Sequence, residues 1–261
     1  MRMMTAGVIP WILLSLASAM NPALAEGESS IPPLNLLVLS SVREMPHEGG
    51  YSTSGIANEE FLRAVIISGN TLHVEASQAI PSYCSEATYL VFLKTLSLLQ
   101  HGGRLTLSSE TMNELRPTGQ PDGVGIWGRW NANGPGTARL FRELGLGPNF
   151  TDLNMARPGD FLKIFWNDAI GASEHGHSVI FLGTESRNGV PCLRFWSSNL
   201  HAGYGEKTVP LSRIQRMLFS RLESPQNIDH PLMNRRDSYL SWLEHHSSSS
   251  QQMEKECGLA R

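Results

Sequence analysis

Cysteine is scarce in this chain: Cys84, Cys192 and Cys257 are the only three. A secreted scaffold built on disulfides carries more cysteines, in even number, so a disulfide framework is not what holds this fold. Three thiols fit one disulfide plus one free thiol, or three unpaired ones. A charge excess is also missing, since 21 Lys and Arg stand against 24 Asp and Glu, for a net −3. There is neither the basic field expected of a nucleic-acid binder nor an acidic solvating tract. Beyond the first 25 residues no run is apolar enough to cross a bilayer, and stable membrane insertion is not expected. Internal repeats are lacking. So is any close pairing of metal ligands: a metal site would have to gather His175, His177 and His201 or Cys192 without two-plus-two spacing, and no metal or other cofactor is expected.

The first 25 residues have the pattern of a secretory signal. Arg2 is the only charge, an apolar stretch runs from Val8 to Leu16, and Ala23-Leu24-Ala25 supplies small residues for a cut. A membrane anchor is the alternative, but Pro10 and Ser15 interrupt a stretch already short for a span. The expectation is a secreted or periplasmic protein with four parts: a signal over 1–25, a lead-in over 26–70, a catalytic domain over 71–224 and a polar tail over 225–261.

Within the lead-in, residues 29–50 are rich in Pro, Ser and Gly and read as extended, whereas 58–67 reads as a helix with Glu59 and Glu60 in its first turn. From about Ser82 to Gln100 the apolar residues leave little polar face, the mark of a buried helix, and Gly102-Gly103 stops it. Residues 101–157 change texture toward Gly, Pro and Asn around Trp127 and Trp130, and read as a long surface excursion with a short helix over 137–144. The period then becomes two. Phe161–Trp166, His177–Leu182 and Cys192–Ser197 read as neighbouring antiparallel strands, 206–209 as a fourth, and 212–222 as a helix capped by Ser212. Helices segregated from an antiparallel sheet make an α+β fold.

Cys84 falls in the first turn of the buried helix, where unpaired N–H groups and the helix dipole favour a thiolate and can help hold an oxyanion. Free cysteines are usually inert core residues, so the thiol needs a base to be read as a nucleophile. His177 opens a strand on which it shares a face with Val179 and Phe181. If that face packs on the Cys84 helix, the imidazole meets the sulfur. His175 competes for the same role. Asn199 ends the next strand, where it would orient the ring, with Ser197 and Ser198 as competitors.

Cys84 at a helix start, then Arg157-Pro-Gly-Asp-Phe-Leu-Lys-Ile-Phe165, then His177-Ser-Val-Ile-Phe-Leu-Gly183, then a strand ending in Asn199, resembles the NlpC and CHAP branches of the papain-like amidases and peptidases. The resemblance covers roughly residues 78–222. It implies a papain-like fold, a Cys84-His177-Asn199 triad and hydrolysis of an amide bond, commonly in the peptides of bacterial cell walls. The partner is then a peptide or peptidoglycan substrate. Pro158, Gly159 and Asp160 would be structural. Gln78, six residues before the nucleophile, stands at the spacing of an oxyanion glutamine, and Trp127, Arg129, Trp130 and Asn131 are candidates for groove contacts or for a packed loop. Two departures stand out: Tyr83 replaces the usual Asp or Asn before the nucleophile, and Glu86 replaces a small residue after it. An inactive binding protein on the same fold and a thioester-using acyltransferase are the competing functions.

Overall fold

The longest helix among the described residues begins at Cys84. In the computed structural model, which describes residues 31–230, 232 and 235–259, it spans Cys84–His101 and is capped at both ends. At its start the Glu86 carboxylate accepts the Tyr83 N–H (3.2 Å), the backbone half of a capping box. At its end Gly103 is left-handed (φ 67°), Gly103 N–H bonds Gln100 O (3.0 Å) and Arg104 N–H bonds Leu99 O (2.8 Å), a Schellman stop. The signal segment expected at 1–25 lies outside the described residues.

In chain order the elements are α1 (Pro33–Arg43), β1 (Glu48–Gly49), α2 (Gly55–Ala64), a hairpin of β2 (Val65–Ser68) and β3 (Thr71–Val74), and the long helix α3 (Cys84–His101). Three shorter helices follow, α4 (Ser109–Leu115), α5 (Gly125–Asn131) and α6 (Gly136–Leu144). The strands β4 (Asn149–Phe150), β5 (Phe161–Phe165), β6 (Gly176–Arg187), β7 (Val190–Asn199), β8 (Gly203–Pro210) and β9 (Arg216–Ser220) come next, and α7 (Ser238–Leu243) and α8 (Ser250–Glu256) close the described chain. One antiparallel sheet runs β1-β8-β7-β6-β5-β9-β4. The fold is α+β. Among the described residues no helix is long and apolar enough to cross a membrane.

Alternation divides the sheet's apolar residues between two clusters. Phe161, Ile180 and Trp196 join the cluster of α3, with Leu90, Val91, Phe92 and Leu93, while Leu162, Ile164, Val179, Phe181 and Phe195 form a second cluster on the opposite face. The face that carries Val179 and Phe181 is therefore turned away from the Cys84 helix, contrary to the packing expected of it. His177 meets the helix because it is the second residue of β6 and Cys84 the first of α3, so the two come together at the end of the sheet.

Four expectations from local pattern change. Residues 33–43 form a helix rather than an extended lead-in, with Pro33 in the first turn and Asn35, Val38 and Ser41 buried along one side. Residues 216–220 form strand β9, because Met217 and Phe219 pack with one cluster and Leu218 with another, a period of two that answers the open edge of β5. The stretch 101–157 is not a surface excursion, since α4, α5 and α6 put Leu115, Trp127, Trp130 and Phe141 into the α3 cluster. The polar tail is ordered too. Asp237 and Ser249 cap α7 and α8, Arg139 pairs with Asp237 (2.6 Å) and Glu256 (3.1 Å), and Leu243, Met253 and Cys257 are buried.

The Pro158-Gly159-Asp160 corner fixes where the sheet begins. Asp160, fully buried, takes a two-pronged ion pair from Arg221 on the segment after β9 (both contacts 2.8 Å), the Arg157 N–H (2.8 Å) and the Asn35 amide from α1 (2.7 Å). Gly159 sits at φ 93°, and a Cβ there would lie 2.6 Å from Asn35 O, so only glycine lets α1 approach this closely.

Candidate active site

Three elements that are distant in the chain deliver one side chain each. Cys84 comes from the first turn of α3, His177 from the start of β6, and Asn199 from the last residue of β7. His177 Nε2 lies 3.3 Å from Asn199 Oδ1. The Asn199 amide has one possible orientation: its nitrogen donates to the carbonyls of Ser197 (3.0 Å) and Gly205 (2.9 Å), which leaves only the oxygen for the ring. That oxygen accepts the Nε2–H, so the neutral imidazole carries its lone pair on Nδ1, the nitrogen left free to act on the Cys84 thiol.

The electrostatics favour a thiolate. Burial pushes the Cys84 thiol up, but the hydrogen bond and charge of His177, the backbone N–H of Ser178 and the Lys163 ammonium together outweigh it and lower the thiol to about 7. Glu86 behaves oppositely. Its carboxyl is buried at 0% exposure, one oxygen has no partner, and burial, with a contribution from the neighbouring thiolate, pushes it up to about 8 despite the Tyr83 N–H. A carboxyl in that range is largely neutral at pH 7 and places no full negative charge beside the sulfur.

Tyr51 is the residue that sequence reasoning missed. Its backbone lies against Ser82 in an isolated parallel bridge, with Ser52 N–H bonded to Ser82 O (3.0 Å), and this brings Tyr51 to the cleft that Cys84 lines. Burial and the adjacent thiolate raise the phenol above its usual range, so it stays protonated and can donate. Gly49-Gly50-Tyr51 matches no motif. The only signal is the pairing itself, which joins segments 31 residues apart and leaves no local pattern.

A cleft of about 370 Å³ opens at the sulfur, lined by Tyr51, Tyr83, Cys84, Asp122, Asn131, Lys163 and Glu174 among others. Lys163 and Glu174 are ion-paired across it (2.7 Å), and Glu174 also accepts the N–H groups of Gly134 (2.7 Å) and Gly171 (3.0 Å), tying two loops to the rim. A second depression of about 350 Å³, on the other side of His177, shares Tyr51 and Gly176 with the first.

The remaining sequence candidates lie elsewhere. His175 is exposed, with its N–H on Asn167 (3.1 Å) and no part in the cleft. Ser197 donates to Ser178 O (2.7 Å) and Ser198 to Ser82 O (3.0 Å), so neither hydroxyl orients the ring. Gln78 is exposed on a 3-10 turn, outside the residues that line the cleft, whereas Tyr51 is among them. Arg129 is 1% exposed and consumed by Glu143 and the carbonyls of Gly123, Gly125 and Arg235. Trp130 is buried with its indole N–H on Thr88 (3.2 Å), and the Trp127 ring packs 4.9 Å from Phe61. These three serve the core, whereas Asn131 does line the cleft and accepts the Ser85 hydroxyl (2.6 Å). Cys192 and Cys257 are buried and unpaired, and burial pushes Cys257 up to about 12. Among the described residues no group of three His, Cys, Asp or Glu is placed to hold a metal ion.

Compared with known families, curated proteins and solved structures, the chain matches none.

Proposed function

We propose that this chain is an exported cysteine hydrolase of the papain-like, NlpC or CHAP kind, acting on an amide bond in cell-wall peptide. The observation that carries the reading is the pairing of Asn199 with His177 beside Cys84, in which two backbone carbonyls set the amide, the amide sets the tautomer, and the tautomer leaves the Nδ1 lone pair for the thiol. An inert scaffold has no use for a thiol lowered to about 7.

In this reading His177 Nδ1 takes the proton of the Cys84 thiol, the resulting thiolate attacks the amide carbon, and the negative charge that develops on oxygen is met by backbone N–H groups at the start of α3 and by the Tyr51 hydroxyl. The C–N bond breaks as His177 Nδ1–H gives its proton to the departing nitrogen. A water then loses a proton to Nδ1, attacks the thioester carbon and releases a carboxylic acid and the free thiolate. Asn199 holds the ring through both steps.

Digestion of purified peptidoglycan, with fragments identified by mass spectrometry, tests the reading. The native protein should release new amine and carboxyl ends, and Cys84→Ala and His177→Ala should each lower the rate by roughly 10²–10⁴-fold or more. Full activity in either variant would overturn it.

A further inference from the structure

The depression beyond His177 has a chemistry different from that of the cleft at the sulfur. Its walls are Trp166, Phe195, Leu200 and Val209, an apolar and partly aromatic surface, with Phe195 packed 5.7 Å from the imidazole ring. Two cations, Lys207 and Arg213, stand on it, both exposed and neither engaged in a hydrogen bond or ion pair among the described residues. Other arginines of the fold, Arg129, Arg139, Arg142, Arg157, Arg216 and Arg221 among them, bond to carboxylates, hydroxyls or carbonyls. No acidic side chain lines this depression, whereas Asp122 and Glu174 line the cleft on the other side. The groove is thus polarised across the catalytic histidine, polar and acidic at the sulfur, apolar and cationic beyond the ring.

We infer that this depression receives the departing amine product, and that the product is an apolar or aromatic amino-acid residue whose carboxylate is held by Lys207 and Arg213. The inference rests on the hydrolase chemistry of that reading and not on its cell-wall substrate: it is the imidazole that hands its proton to the leaving nitrogen, and the leaving group therefore lies on the His177 side of the sulfur. An apolar pocket with a few polar groups at its edge is the usual form of a small-ligand site, and about 350 Å³ lies at the lower end of the range. Burying the side chain against Trp166 and Leu200, the apolar lining residues with accessible surface, supplies affinity, while the two cations supply the discrimination between an acid and its uncharged analogue.

Equilibrium binding measured by ligand-observed NMR on the full-length protein tests this with phenylalanine, the dipeptide Phe-Gly and the C-terminal amides of both. The acids should bind about threefold to tenfold more tightly than their amides, the discrimination expected of partly exposed charge pairs. The Lys207→Gln/Arg213→Gln double variant should lose that preference while keeping its affinity for the amides. Equal affinity for acid and amide, a preference untouched by the double variant, or no saturable binding of any probe would each overturn the inference. The reactivity of Cys84 toward iodoacetamide, measured on the same samples, reports the nucleophile independently, so failure of this pocket and failure of the hydrolase reading are told apart.

Discussion

Two buried polar centres in this protein are built on opposite principles. At the Asp160 corner the charges are answered: a carboxylate without exposed surface receives Arg221 through two contacts, a backbone N–H and the Asn35 amide nitrogen, and the one buried atom left without a partner is the neutral Asn35 oxygen. At the Cys84 centre groups are held against their preference. A thiol sits near 7, a buried carboxyl near 8, and one carboxyl oxygen has no partner. The first arrangement gains stability from paired charges, and the second spends some of it to keep ionisable groups near their switching point.

Removing the carboxylate at the first centre is the most disruptive change. Asp160→Ala leaves the Arg221 guanidinium facing a buried void and releases α1 from the sheet, and a loss of about 3–5 kcal/mol is expected in thermal or denaturant unfolding. A loss below about 1 kcal/mol would mean that the corner does not organise the fold as its contacts imply.

At the second centre the sign reverses. Glu86 titrates near 8 in the folded chain against 4.5 unperturbed, so between those values the native state keeps a proton that the unfolded state releases. Its contribution is complete below about pH 4.5 and is lost as pH rises toward 8. Glu86→Gln cannot titrate, yet keeps an oxygen for the Tyr83 N–H. The stability gap between variant and native protein should be constant below about pH 4.5, and by pH 8 it should have moved in the variant's favour by roughly 4 kcal/mol, the linkage value of that shift. A gap that is constant with pH would show that Glu86 titrates normally.

The two centres also differed in how far the sequence revealed them. Cys84, His177 and Asn199 were legible because each lies at the end of an element with a clear period, α3 or a strand bounded by glycine, and ends of neighbouring elements converge. The face assignment of His177 was not legible, since alternation says which residues share a face but not which face the helix covers. Tyr51, Asn35 and Arg221 were hidden for a different reason. Each acts through a contact with a remote segment, Ser82 or Asp160, and leaves no trace in its own surroundings. Residues 212–222 misled because five residues of a strand buried on both faces look as apolar as one side of a helix. Trp127 and Trp130 misled because tryptophan is equally suited to a groove and a core, and only packing distinguishes the two.

The central claim is that His177 activates Cys84, and the pH dependence of iodoacetamide alkylation tests it most directly. Modification is read by mass spectrometry on the Cys84 peptide, with buried Cys192 and Cys257 as internal controls. The expected profile has Cys84 reacting with a midpoint near 7, ahead of both controls, and His177→Ala moving that midpoint up toward the ordinary thiol value of about 8.5. A native midpoint already at about 8.5, or one that His177→Ala leaves in place, would contradict the account.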